Sequence, residues 1–483
     1  MPCAAAGNGR IGNLLVKLTG EGKVGNLRHS CHDEVAAHIA AKVKTMISRN
    51  KRFMAGLASL AAMGIALAGC GSSGDSTAGE DKGKSDGPVT ITYLHRLPDS
   101  DGMTKVDDIV ARWNKDHPDI QVKATKFDGK AAEMIKKLET DVKADNAPDL
   151  AQVGLAELPE VFSKGLVQDV TSEAEKYKDH FAEGVYKLMT IDGKAYGLPQ
   201  DTGPLTYFYN KAEFDKLGIT VPKTADEMVE TAKKAAAQGK YIMSFQPDEA
   251  GNMMSGLAGA AEPWYATEGG TWHVDTETSG SKAFSDLYQQ LLDSKATAVA
   301  ERWTPDFDAL LQQGTLIGTV AAAWEAPLFI SSSGGTGAGD WQVTQLGDWF
   351  GNEGKTGADG GSGVAVMKGC EHPAEAMEFL DWFNTQVPDL VSQGLVVAAT
   401  TEDAETPEKW SEFFGGQDIM AEFAKANANM GDFTYIPGFS AVAAAMSEAA
   451  AKAGDGSGKV ADIFSTAQKT SVDTLKNLGL KVK

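Results

Sequence analysis

Cysteine is nearly absent from the folded part of this chain. Of 483 residues four are cysteines, Cys3, Cys31, Cys70 and Cys370, and only Cys370 lies where the patterning is globular. A single body cysteine makes no internal disulfide, so the fold must rest on its apolar core, with Cys370 as a small buried side chain. Positive charge is scarce too. Beyond residue 70 there are 36 Lys and Arg against 63 Asp and Glu, a net charge of −27. Such a surface repels phosphate backbones and anionic lipid, which argues against a nucleic-acid partner. It suits a protein outside the cell that handles a neutral ligand.

Catalytic and metal signatures are also missing. Gly335-Thr-Gly-Ala-Gly339 and Gly454-Asp-Gly-Ser-Gly-Lys459 are glycine-rich, yet neither has the spacing of a phosphate-binding loop or a dinucleotide fingerprint. Ser362 is not framed as a nucleophile elbow. His372 and Glu375 share a helix side but have no third ligand, and Asp99-Ser-Asp101-Gly is too short for a calcium loop. No cofactor, no metal and no enzymatic activity are therefore expected.

What is present begins with a targeting segment. Arg49, Lys51 and Arg52 precede an apolar stretch, residues 53–66, that is too short for a membrane span and is followed by small residues. These are the three parts of a secretory signal peptide, here 46–69. The ending Leu67-Ala68-Gly69-Cys70 resembles the lipobox of bacterial lipoproteins, which implies lipidation of Cys70 and a place on the outer face of the cell membrane. Residues 71–87 are Gly-, Ser-, Asp- and Lys-rich, cannot bury enough surface to fold, and read as a tether running from Cys70. Forty-five unpatterned residues ahead of a signal peptide would obstruct targeting. Met46 is accordingly the expected start and 1–45 upstream translation, so Cys31-His32 and His38 are not read as a metal site.

From residue 88 strand and helix patterns alternate. Pro88–Leu94, Ile120–Thr125 and Ala147–Val153 are strand-like; 103–116, 130–145 and 157–163 are helix-like, with a stripe at Val106, Ile109, Val110 and Trp113. The alternation predicts an α/β body with a largely parallel sheet. Trp113, Phe379, Trp382 and Phe383 recur at helical spacing and are expected in the core.

A longer run is more specific. Tyr196-Gly-Leu-Pro199 leads into a β-rich stretch ending in Tyr209-Asn-Lys211, followed by Pro222-Lys-Thr-Ala-Asp-Glu-Met228, where Thr224 and Glu227 form a capping box. Further on come Gly318-Thr-Val-Ala-Ala-Ala-Trp324-Glu325, Gly360-Gly-Ser-Gly-Val-Ala-Val366 and His372–Phe383. In this order and spacing, from about residue 88 to the end, the pieces resemble the extracellular solute-binding proteins that include maltose-binding protein. The resemblance implies a two-lobed, periplasmic-binding-protein-like α/β fold with an inter-lobe ligand cleft that closes by a hinge. Lobe one is expected at 88–200 plus 352–385 and lobe two at 201–351 plus 386–483. It implies a monomer that captures an oligosaccharide and hands it to the permease subunits of an ABC importer. Pentose oligomers, α-galactosides and α-glucosides all fit the family and are not ranked.

A sugar presents apolar C–H faces that lie on aromatic rings and hydroxyls that seek carboxylates, amides and backbone groups. Trp264, Trp272 and Trp303 lie in loops, and Trp324 ends a strand where the family carries a ligand-facing tryptophan. Polar candidates sit at strand ends and crossovers: His95, Arg96, Gln152, Asp201, Thr202, Glu325, Gly361 and Ser362. Tyr435 and Phe439 are candidates for closing one end of the groove, while Trp341 and Trp349 receive no role. Gln152-Val153-Gly154-Leu155 stands where the maltose-binding relative has charged residues, which argues against maltose itself. An exported glycoside hydrolase using two carboxylates and a surface glycan adhesin are the alternatives from other classes.

Overall fold

The computed structural model describes residues 87–100, 103–431 and 433–483. The leader, the signal peptide, Cys70 and the tether up to residue 86 lie outside the described residues. Among the described residues no helix is long and apolar enough to cross a membrane.

The first strands and helices follow the sequence pattern. Strands β1 (Val89–His95), β2 (Ile120–Lys126) and β3 (Leu150–Gly154) alternate with helices Val106–Asp116, Ala131–Lys143 and Leu158–Ser163. The first helix buries Val106, Ile109, Val110 and Trp113, each side chain stabilising by roughly 2 kcal/mol when removed from water. Its last turn is closed by Trp113, whose indole N–H donates to the Ile120 carbonyl at 2.9 Å and whose ring stacks on His117. The chain then forms β4 (Gly197–Thr202), β5 (Leu205–Asn210), β6 (Gly318–Ala322), β7 (Trp341–Thr344), β8 (Ser362–Val366) and β9 (Val396–Val397).

Two sheets organise these strands. The larger has the order β9-β4-β8-β3-β1-β2 and the smaller the order β6-β5-β7. Only the β1–β2 and β1–β3 pairs of the larger sheet are parallel; β3–β8, β8–β4 and β4–β9 are antiparallel. The sheet is thus mixed where the alternation predicted a largely parallel one. The cause is connectivity: β8 re-enters from the direction of the smaller sheet, so it begins at the edge where β3 and β4 end. β9 also joins this sheet, beyond the 385 boundary expected for lobe one, because Val396 and Val397 pair with Thr202 and Asp201.

Alternate side chains divide between the two faces of the larger sheet, as the pleat requires. Ile91, Tyr93, Leu150 and Val364 enter one core, with Phe379 and Phe383 from helix Pro373–Asn384. Leu94, Ala151, Val153 and Ala365 enter another. In the smaller sheet Phe208 faces the first core, while Leu205, Tyr207 and Val320 face a third that holds Trp349. Trp341 and Trp349 are core residues, their indole N–H groups donating to Thr336 and Pro222 carbonyls. Cys370 is buried, and burial pushes its thiol up to about 12. The helix start at Thr224 departs slightly from the expected box. Its side chain accepts from the Glu227 N–H, but Glu227 reaches back to the N–H of Lys223.

The two sheets are joined by crossing segments that lie side by side. The Leu205 N–H donates to the Gly357 carbonyl at 3.0 Å, and the Asp359 N–H to the Gly203 carbonyl at 2.8 Å. Glycine is needed here for space: a Cβ on Gly203 would stand 2.0 Å from the Asp359 carbonyl oxygen. A third connection leaves β9 and reaches helix Glu408–Phe413, which packs on helix Ala326–Ser332.

Candidate ligand site at the crossing segments

The ends of β1, β3 and β4 and the start of β8 bring six predicted residues together, four of them joined in one chain of hydrogen bonds. The Arg96 main-chain N–H donates to Gln152 Oε1 at 2.7 Å, and Gln152 Nε2 donates to Ser362 Oγ at 3.0 Å. Ser362 Oγ in turn donates to Asp201 Oδ1. The Leu155 N–H holds the Gly361 carbonyl at 3.0 Å, with Gly361 at φ 84°, a region glycine enters at little cost. Next in line, the Thr202 hydroxyl donates to Asn427 Oδ1 at 2.6 Å. The Arg96 guanidinium pairs with both oxygens of Glu157 at 2.9 Å, so its charge is matched by the residue that precedes helix Leu158–Ser163.

Burial sets the protonation of this network. His95 is 2% exposed, and burial lowers its pKa to about 4, so the ring is neutral at physiological pH; its Nδ1 has no partner among the described residues. Asp201 is 4% exposed, and burial pushes its carboxyl up to about 7 against the lowering effect of Ser362. The sign for stability follows. Between about pH 4 and pH 7 the unfolded carboxyl is ionised and the folded one protonated, so stability falls as pH rises through that window. Asp201→Asn keeps an acceptor for Ser362 and removes the titration. Denaturant unfolding from pH 4.5 to 7 should show the variant losing less stability, by up to about 1.4 kcal/mol per pH unit. Identical slopes for the two proteins would refute the assignment.

A second network forms at strand ends on the side of the smaller sheet. Two short parallel strands, Ser244–Phe245 and Ala298–Val299, lie beside β6. Their ends lead to Glu249 and Arg302, and the end of β6 leads to Trp324 and Glu325. Arg302, side chain 5% exposed, pairs with Glu249 at 2.6 Å, with Asp359 at 2.7 Å and with Glu325. Glu325 also accepts from the Ala322 N–H at 2.9 Å. Burial raises both the Glu325 and Asp359 carboxyls above the usual range, opposed by the Arg302 charge. The guanidinium carbon lies 5.1 Å from the centre of the Trp324 ring, whose indole N–H donates to the Asp359 carbonyl at 2.8 Å. Burial raises the Tyr435 hydroxyl well above its ordinary range, with the Asp359 charge adding to the rise, and its ring lies 5.1 Å from Phe439 and 4.7 Å from Phe433.

The two networks meet on one strip of chain: Asp359 belongs to the second and, three residues later, Ser362 to the first. A crevice at strand carboxyl ends is where open α/β sheets bind ligands. Two of the other candidate tryptophans lie elsewhere. Trp264 is 1% exposed, its ring enclosed by Tyr265, Phe433 and Phe464 at 5.6–6.3 Å, which places it in the third core instead of on an open groove edge. Its Gly- and Pro-rich flanks suggested a platform, but Phe433 and Phe464, distant in sequence, cover it. Trp272 lies in the hairpin 265–274, paired with Thr267 and Val482 and packed on that same core. Trp303 adjoins Arg302, is half-buried against Phe307, and adopts φ 57°. Glu249, Arg302, Asp359 and Asn427 were not foreseen; the only local signals were the adjacency of Arg302 to Trp303 and of Asp359 to the Gly360-Gly361-Ser362 turn, and Glu249 and Asn427 had none.

Residues 98–388 match the model of the bacterial extracellular solute-binding protein family. This chain belongs to that family. It is 74% identical to the galacto-N-biose/lacto-N-biose I-binding protein of the ABC transporter from Bifidobacterium longum, solved with lacto-N-biose. The match covers 83% of this chain and 100% of that one, with a TM-score of 0.82. The ABC-transporter-associated binding protein of B. animalis subsp. lactis Bl-04, solved with β-1,6-galactobiose, is 26% identical over 82% of this chain and 100% of its own, with a TM-score of 0.69. The arabinooligosaccharide-binding protein of Halalkalibacterium halodurans is 23% identical over 57% of this chain and 63% of that protein. Family and relatives make this chain an extracellular substrate-binding protein of the oligosaccharide-binding kind, with the expected two-lobed α/β fold.

Proposed function

We propose that this protein captures a short galactose-containing sugar of the galacto-N-biose or lacto-N-biose I kind in the space bordered by the two networks, and delivers it to an ABC permease. The observation that carries the sugar's identity is the 74% identity over the whole length of the Bifidobacterium longum protein. At that level most side chains around a cleft are retained, whereas the relatives at 23% and 26% bind other sugars. In this reading the larger sheet is the core of lobe one and the smaller sheet that of lobe two. Trp324 is the stacking platform, with Tyr435 and Trp303 near the same network, while Phe439 is buried in the third core behind Tyr435. His95, Arg96, Gln152, Asp201, Thr202, Glu325, Gly361 and Ser362 offer polar contacts. Closure is then driven by a ligand that touches both networks at once, since equal affinity for the open and closed forms would shift nothing. Ser440, which donates to Glu160 at 2.6 Å, adds a contact between helix Phe439–Gly454 and the larger sheet's helix Leu158–Ser163.

Calorimetry with lacto-N-biose I, galacto-N-biose, β-1,6-galactobiose, an arabinooligosaccharide and maltose tests the assignment. The first two are expected to bind at least about tenfold more tightly than the rest, a difference of about 1.4 kcal/mol. Preference for the arabinooligosaccharide or maltose would overturn the ligand and leave the family untouched. Chromatography of the recovered sugars separates capture from hydrolysis. We further propose that Cys70 carries the lipid that holds the protein at the outer membrane face. Loss of fatty-acid labelling in Cys70→Ser is the matching test.

A further inference from the structure

Arg302 is an unusual residue to find buried. One guanidinium stands among three buried carboxyl groups, Glu249, Glu325 and Asp359. Removing such charges from water is costly, and replacing them by apolar groups is commonly no worse for stability. Stability alone therefore gives a weak reason for the arrangement. Geometry gives a better one. The guanidinium lies over the Trp324 ring with its carbon 5.1 Å from the ring centre, and Asp359 grips both partners. Its carboxylate takes Arg302 Nη1 at 2.7 Å, and its main-chain carbonyl takes the Trp324 indole N–H at 2.8 Å. Asp359 lies on a crossing segment, two residues from the Gly357 carbonyl that holds Leu205. The neighbouring backbone is bent to suit. The Arg302 main-chain N–H donates to Asp248 Oδ1 at 3.1 Å, and Trp303 adopts φ 57°, a conformation unfavourable for a bulky side chain.

We infer that Arg302 is a positioning residue for sugar binding: it covers one face of Trp324 and locks the indole to the crossing segment, leaving the opposite face for the ligand. This rests on the reading of Trp324 as the stacking platform. Lysine cannot replace it, because a planar fork that reaches three carboxyl groups while its carbon sits over an indole is particular to arginine.

Lacto-N-biose I titrations of Arg302→Lys, Trp324→Ala and the double variant test the inference, with indole emission and melting temperature recorded for each. Arg302→Lys is expected to weaken binding about tenfold and to shift the indole emission, as loss of a desolvated cation–π contact and of a fixed ring would do. On the Trp324→Ala background the same change is expected to cost less than about twofold, because the residue it acts through is gone. A full tenfold loss on that background would overturn the inference and make Arg302 a direct contact or a purely structural one. No loss from Arg302→Lys, with Trp324→Ala still weakening binding, would overturn it while the platform reading stands. Unchanged binding by Trp324→Ala would sink both. If Arg302→Lys does not fold, Asp359→Asn keeps the carbonyl for the indole and loosens the guanidinium; it is expected to give the same emission shift and a smaller loss, and no change in either would count against the inference.

Discussion

Trp324→Ala is expected to weaken disaccharide binding by about a hundredfold, a loss of roughly 2.7 kcal/mol. The indole is half-buried at the end of β6, held by Asp359 through its N–H and covered by Arg302. A ring fixed in this way gives a sugar face a large contact without the entropy cost of ordering it. The substitution leaves the Asp359 carbonyl unpaired and Arg302 without its stacking partner, so a drop of a few degrees in melting temperature should accompany the lost affinity. Calorimetry and thermal melting on the same samples check both. Binding within about threefold of the parent would remove Trp324 from the site. The other loop tryptophans predict the opposite pattern. Trp264, enclosed in the third core, belongs to the class of aromatic truncations that cost stability first.

Gly357→Ala is expected to destabilise the fold by about 3 kcal/mol, at the upper end for an overpacked site. A Cβ there would stand 2.0 Å from the carbonyl oxygen of Gly256, in helix Ser255–Gly259, and Gly256 meets Ala358 just as closely in return. Both sides of this contact are backbone, so no side chain can swing away. Because Gly357 also accepts the Leu205 N–H, any relief moves the crossing segment that carries Asp359. Affinity should therefore fall together with the denaturation midpoint. Gly184→Ala is the control: nothing lies within 4 Å of its Cβ position, it sits in helix Glu183–Lys187, and alanine there should be neutral or slightly stabilising. Equal midpoints for Gly357→Ala and Gly184→Ala would show that the helix yields.

Much of the fold was legible because its periodicities are local. The alternation at Val89–His95 and the stripe at Val106, Ile109, Val110 and Trp113 announce a strand and a helix before any partner is known. The mixed direction of the larger sheet was not legible. Nothing within Ser362–Val366 says that this strand starts at the edge where β3 and β4 end; only the path of the crossing segments does.

The site divides in the same way. Trp324, Asp201, Thr202, Gln152 and Ser362 were nameable from position, because strand ends and glycine turns mark where a chain leaves a sheet. Arg302, Glu249 and Asp359 were not, since 53 and 57 residues separate Arg302 from Glu249 and Asp359 and acidic side chains are abundant in the chain. Trp264 and Trp324 looked alike in sequence, each a large ring beside small residues. Packing separated them: one is walled in by Phe433 and Phe464, the other is held at a crossing by one hydrogen bond and one cation. By itself the sequence determined the family, the α/β alternation and the strand ends at which a ligand would be sought. The tertiary structure alone decided which rings are core and which carboxylates share a cation, because burial and charge pairing depend on neighbours that the chain supplies from far away.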